Sequence, residues 1–91
     1  MNFEIIIKGL VQGVGFRPTV ARHAASLNIK GSVCNYGPYV EIIAEGEEGL
    51  VSDFIDLIRV KPPKRAVILK MDVRDIADGA YDSFEIIPSG K

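Results

Sequence analysis

A single cysteine, Cys34, and a single histidine, His23, leave this chain with no internal disulfide and no cluster of metal-ligating side chains in sequence. Apolar runs are short. The longest, residues 5–7 and 67–69, fall far below the roughly 20 residues needed to span a bilayer. Neither charge sign dominates, since 11 Lys and Arg face 12 Asp and Glu for a net charge of −1. That balance argues against the broad basic face that duplex binding requires, so nucleic acid is not an expected partner. An acid at position 4, where a secretory leader would be basic, together with the lone cysteine, predicts a cytoplasmic protein. There is no internal repeat and no low-complexity segment.

What is present is a chain of 91 residues, 47% apolar and 25% charged. This suits one domain over residues 1–91 with one core, whose stability comes from packing. Phe3, Ile5 and Ile7 alternate with Glu4, Ile6 and Lys8, the period of a strand. Residues 9–17 follow, with glycine at 9, 13 and 15, and read as a loop. Pro18 suits a first helical position, and Val20, Ala21, Ala24 and Leu27 recur at helical spacing, predicting a helix over residues 18–28.

Two strands are expected next, over residues 29–34 and 40–45, joined by a hairpin at residues 35–39. Glu47 and Glu48 favour a helix start, Leu50, Val51, Phe54, Ile55 and Ile58 form an apolar stripe, and Pro62-Pro63 ends it. Val67, Leu69, Met71 and Val73 then alternate as one face of a strand, and a turn at Asp78-Gly79 leads to a short strand at residues 84–87. The order is that of the split βαβ, ferredoxin-like α+β sandwich: an antiparallel sheet with two helices on one face, here with an extra short C-terminal strand.

That architecture serves many functions, so function must be argued from a site. The loop between first strand and first helix offers one. Glycines at 13 and 15 let backbone amides converge as a nest, and the helix N-terminus adds partial positive charge. Arg17 brings a bidentate fork for two phosphoryl oxygens. A Walker A loop would need Gly-Lys-Ser/Thr where the chain has Gly15-Phe16-Arg17-Pro18, and the dinucleotide fingerprint would need glycine in place of Pro18. On spacing alone, a tight turn with a solvated Arg17 accounts for the loop equally well.

The run Lys8-Gly9-Leu10-Val11-Gln12-Gly13-Val14-Gly15-Phe16-Arg17, with Val33-Cys34-Asn35 downstream, resembles the acylphosphatase family over essentially the whole chain. The resemblance implies hydrolysis of an acyl phosphate with no cofactor and no metal. It makes Val11, Gln12, Gly13, Val14, Gly15 and Phe16, with Arg17, the phosphate cradle, and Asn35 the residue that positions the attacking water. Pro18 after Phe16-Arg17, the Pro62-Pro63 pair and the ending Phe84-Glu85-Ile86-Ile87-Pro88-Ser89 resemble the N-terminal domain of HypF-type hydrogenase maturation carbamoyltransferases. In that setting the implied substrate is carbamoyl phosphate, and the implied partners are downstream domains of a larger protein. The alternatives are a free-standing acylphosphatase acting on small acyl phosphates, or a non-catalytic ferredoxin-like module that binds an anion or a partner.

The chain departs from the family pattern at Gly31-Ser32-Val33, where Gly-Trp-Val is usual, and at Pro38-Tyr39, where the hairpin usually has Asp-Gly. A tyrosine at positive φ is strained, so a different turn type is expected, with consequences for Asn35. Cys34 lacks an electropositive partner and reads as structural, as does His23. The acids Glu45, Glu47 and Glu48 are explained by a helix dipole, and Lys61, Lys64 and Arg65 by a solvated cluster.

Overall fold

The computed structural model describes residues 1–77 and 79–88; the expected turn residue Asp78 and the ending at Ser89 lie outside the described residues. The elements are β1 (Asn2–Leu10), α1 (Phe16–Ser26), β2 (Lys30–Tyr36), β3 (Tyr39–Glu45), α2 (Glu48–Val60), β4 (Val67–Ile76) and β5 (Phe84–Ile87). They form one sheet of order β4-β1-β3-β2-β5 with two helices, the expected ferredoxin-like sandwich. The first four strands pair antiparallel, whereas β5 pairs parallel to β2, so the extra strand makes the sheet mixed.

The alternating residues Phe3, Ile5 and Ile7 of β1 and Val40, Ile42 and Ala44 of β3 are all buried, joined by Val20 and Ala24 from α1 and Val51, Phe54 and Ile58 from α2. The opposite face of the sheet carries Glu4, Lys8, Glu41 and Arg74, and Arg74 Nε donates to Glu4 there. The segment after β4 crosses the far end of the sheet, where the Tyr81 backbone N–H donates to Glu45 at 3.2 Å. Phe84 then meets Phe54 edge-on, ring centres 6.0 Å apart, which seats β5.

Several expectations of the local structure need correction, beginning with the loop, which starts only after Leu10 at the end of β1. The helix α1 begins at Phe16 and ends at Ser26, two residues earlier than expected at each end, so Pro18 is the third helical residue. Its missing N–H still falls among the four unpaired amides of the first turn, which is why proline is tolerated. In β4 the alternation fails at Leu69: Lys8 pairs with Lys70 but Gly9 with Ile68, leaving Leu69 as the extra residue of a bulge. The bulge shifts the parity, so Ile68 and Met71 pack on the core while Leu69 is 78% exposed. The hairpin, finally, is tighter than residues 35–39. Tyr36 pairs with Tyr39, and the connection is Gly37-Pro38 alone. Gly37, at φ 63°, supplies the positive φ, so Tyr39 escapes strain and opens β3.

Candidate functional site

The β1–α1 loop owes its shape to two glycines, Gly13 at φ 72° and Gly15 at φ 77°. An added Cβ would meet nothing within 4 Å at either position, so the requirement is conformational rather than steric. Gly15 is the N-cap of α1 in the left-handed region, no side chain caps the helix, and no acid lies in its first turn. The Phe16 and Arg17 amides therefore remain available to an anion at the positive end of the helix.

A cavity of about 200 Å³ opens at this point, lined by Val11, Gly13, Gly15, Phe16, Arg17, Pro18 and Asn35. It thus brings together Arg17, from the first turn of α1, and Asn35, from β2, though larger hollows exist elsewhere on the surface. Asn35 reaches the cavity because β2 ends two residues later than expected, and it shares the helix-covered face with Val33. Its Oδ1 is buried and has no hydrogen-bond partner. Burying an acceptor without a donor costs about 1–3 kcal/mol, so Asn35 is held at this position at a cost to the fold.

Two of the expected cradle residues do not line the cavity. The Gln12 amide instead donates to the Tyr39 carbonyl at 3.4 Å, tying the loop to the β2–β3 hairpin, and Val14 packs against the core. Pro18, which sequence reasoning did not assign to the site, also lines the cavity, and the Ile87 carbonyl, outside the lining, anchors Arg17. Arg17 Nη1 donates to that carbonyl at 3.1 Å. A backbone acceptor 70 positions away has no sequence signature, whereas Pro18 could have been found from its place in the first turn.

Cys34 is buried, and strand alternation turns it to the face opposite Asn35. His23 Nε2 lies 2.9 Å from the Lys61 carbonyl and joins α1 to the end of α2. Among the described residues no group of three His, Cys, Asp or Glu side chains could hold a metal ion, and no helix is long and apolar enough to cross a membrane.

The acylphosphatase family model matches residues 3–86, nearly the whole described chain. The chain belongs to the acylphosphatase family. Its members are hydrolases, and this chain is an acylphosphatase-type domain. It is 44% identical over 98% of its length to a probable carbamoyltransferase HypF of Methanocaldococcus jannaschii, but spans only 12% of that protein. It is 40% identical to an acylphosphatase of Ligilactobacillus salivarius, covering 93% of the chain and 96% of that relative. Among solved structures, full-length HypF in a phosphate- and nucleotide-bound form matches with a TM-score of 0.93 at 41% identity, covering 97% of this chain and 12% of that one. The acylphosphatase from Bacillus subtilis matches at 0.88 and 30% identity, covering 94% and 97% respectively.

Proposed function

We propose that this domain hydrolyses an acyl phosphate without a metal ion, and that its substrate is carbamoyl phosphate within a larger, cytoplasmic hydrogenase maturation carbamoyltransferase. One observation carries the catalytic reading: Asn35, whose Oδ1 is buried without a hydrogen-bond partner, lines a small cavity together with Arg17 and the uncapped end of α1. In this mechanism the phosphoryl group sits against the loop and first-turn amides, and Arg17 forks across two of its oxygens. A water donates one hydrogen to Asn35 Oδ1, which turns a lone pair toward phosphorus. The water oxygen bonds to phosphorus as the bond to the acyl oxygen breaks. The carboxylate or carbamate departs as an anion, and the water's proton passes to a phosphoryl oxygen.

Such a leaving group needs no acid to protonate it, so positioning and charge neutralisation supply most of the acceleration. The carbamoyl assignment rests on the kinship with the carbamoyltransferase relative, whose length exceeds this chain's about eightfold, as the 12% coverage implies. A free-standing acylphosphatase is the second reading, favoured by the end-to-end match with the Ligilactobacillus enzyme.

The test is phosphate release from benzoyl phosphate and carbamoyl phosphate in the presence of chelator, for the unmodified chain beside Arg17→Ala and Asn35→Ala. Turnover lost in both variants is the expected result. A higher kcat/KM for carbamoyl phosphate supports the carbamoyltransferase setting, and a preference for benzoyl phosphate supports the free-standing enzyme. A folded chain that binds phosphate and turns over neither substrate overturns the reading in favour of an anion-binding module.

A further inference from the structure

The near-neutral net charge conceals a strong polarity. The pairing register orders the strands along one axis, with Leu10, Val67 and Tyr39 at the cradle end and Asn2, Glu45 and Lys30 at the other. The segments that make up the cradle end are residues 8–18, 36–40, 59–71 and 87–88, and none contains an Asp or Glu. They contain Lys8, Arg17, Arg59, Lys64, Arg65 and Lys70, besides Lys61. Arg65 stands two residues before Val67, which pairs with Leu10, the residue that precedes the cavity-lining Val11.

Acids begin one level down, where Asp72 and Glu41 both pair with Ile6. Asp72 Oδ2 lies 3.8 Å from Lys70 Nζ and partly neutralises it. At the far end stand Glu45, Glu47 and Glu48, with Lys30 paired opposite Glu45. Lys64 and Arg65 are exposed, and no ion pair with either is present among the described residues.

We propose that this end, which carries no Asp or Glu among the described residues, is an electrostatic funnel that draws phosphoanions to the cradle, and that Lys64 and Arg65, which do not line the cavity, are its main sources. The inference deepens the hydrolase reading and rests on it for the identity of the site. It implies that acyl phosphates of higher negative charge gain most, because attraction to a fixed field scales with ligand charge. A solvated cluster with no role would leave anion capture indifferent to these residues.

The experiment measures inorganic phosphate affinity by calorimetry and kcat/KM for benzoyl phosphate at about 0.01 M and about 0.1 M ionic strength, over which the Debye length shortens from about 30 Å to about 10 Å. Lys64→Glu/Arg65→Glu is expected to lower both quantities on the order of tenfold at low salt, with a smaller loss at high salt and kcat retained. Arg65→Glu is compared with Lys30→Glu, which makes the same change in net charge at the opposite end. An effect for Arg65→Glu that Lys30→Glu lacks supports the funnel. Equal effects, or unchanged phosphate affinity in the folded double variant, overturn it. Salt-dependent phosphate binding without turnover would overturn the hydrolase reading and leave the funnel standing. Turnover indifferent to salt and to Lys64→Glu/Arg65→Glu would do the reverse.

Discussion

Arg17 Nη1 donates to the carbonyl of Ile87, the last residue of β5, at 3.1 Å. The strand that adds a fifth member to the sheet therefore also holds Arg17, the one cation lining the cavity among the described residues. Because β5 pairs in parallel with β2, Ile87 lies beside Cys34, the neighbour of Asn35. Shortening the chain after Ile86 removes this acceptor while keeping Phe84 against Phe54. Phosphate affinity should fall by less than about tenfold, since such a hydrogen bond is worth about 0.5–1.5 kcal/mol net. Calorimetric titration with phosphate, beside a thermal melt to verify the fold, measures it.

Arg17 should not be replaceable by lysine. A guanidinium reaches two phosphoryl oxygens and the Ile87 carbonyl from one planar group, whereas an ammonium is a point charge on a flexible stem. Arg17→Lys is expected to lower kcat/KM for benzoyl phosphate by about 10²–10³, the range for loss of an oriented donor. Near-wild-type turnover in Arg17→Lys would remove the fork from the mechanism.

Asn35 should show activity and stability moving in opposite directions. Its buried Oδ1 has no partner, so the folded domain bears a desolvation cost that Asn35→Ala relieves. The variant is expected to lose about 10²-fold or more in kcat. Its melting temperature should stay level or rise, with phosphate affinity retained because Arg17 and the amides are untouched. A marked loss of stability would mean that Asn35 serves the fold rather than the water.

The elements were legible where the local period matched the final burial, as in β1 and β3, whose alternating apolar residues all reach the core. Arg17 and the glycines of the loop were legible because their chemistry is local to a single turn. Leu69 was not, because its exposure depends on a bulge set by pairing with β1. The hairpin's bounds were not legible because they depend on the Tyr36–Tyr39 pairing, although the different turn expected from Tyr39 is present, with Gly37 meeting the positive φ two residues earlier. Gln12 illustrates the same limit within the cradle: its place in the motif is evident, but its amide serves the Tyr39 carbonyl.

The loop glycines should be intolerant for a reason other than space. Gly13 and Gly15 have open surroundings but left-handed φ values of 72° and 77°. Alanine at either position would cost about 1–2 kcal/mol if the conformation were kept. Relaxing it would instead turn amides away from the cavity. Gly13→Ala and Gly15→Ala are therefore each expected to lower the melting temperature and weaken phosphate binding together, whereas Gly49→Ala, in α2 with open space around it, should leave phosphate binding unchanged.

The open face of the sheet predicts a pH dependence of stability. Burial pushes the Glu41 carboxyl up to about 7, helped by its hydrogen bond to Glu4 and by that group's charge, with Arg74 opposing. Glu4 moves the other way, held below its ordinary value first by the hydrogen bond with Glu41 and then by Arg74. In the unfolded chain Glu41 titrates near its ordinary value of 4.5, so below that pH both states carry the proton and its folded-state preference is fully expressed. As pH rises from about 4.5 to about 7, the unfolded chain sheds a proton that the folded domain retains, and stability falls. Glu4 contributes the opposite sign, but its gain is complete once the unfolded carboxyl has ionised, leaving Glu41 to set the slope above pH 5. Melting temperatures between about pH 5 and pH 8 should therefore decline in the unmodified chain and decline less in Glu41→Gln, which keeps a hydrogen bond toward Glu4 without titrating. Parallel profiles for the two proteins would show that Glu41 holds no proton at neutral pH and that the shared-proton pair does not form.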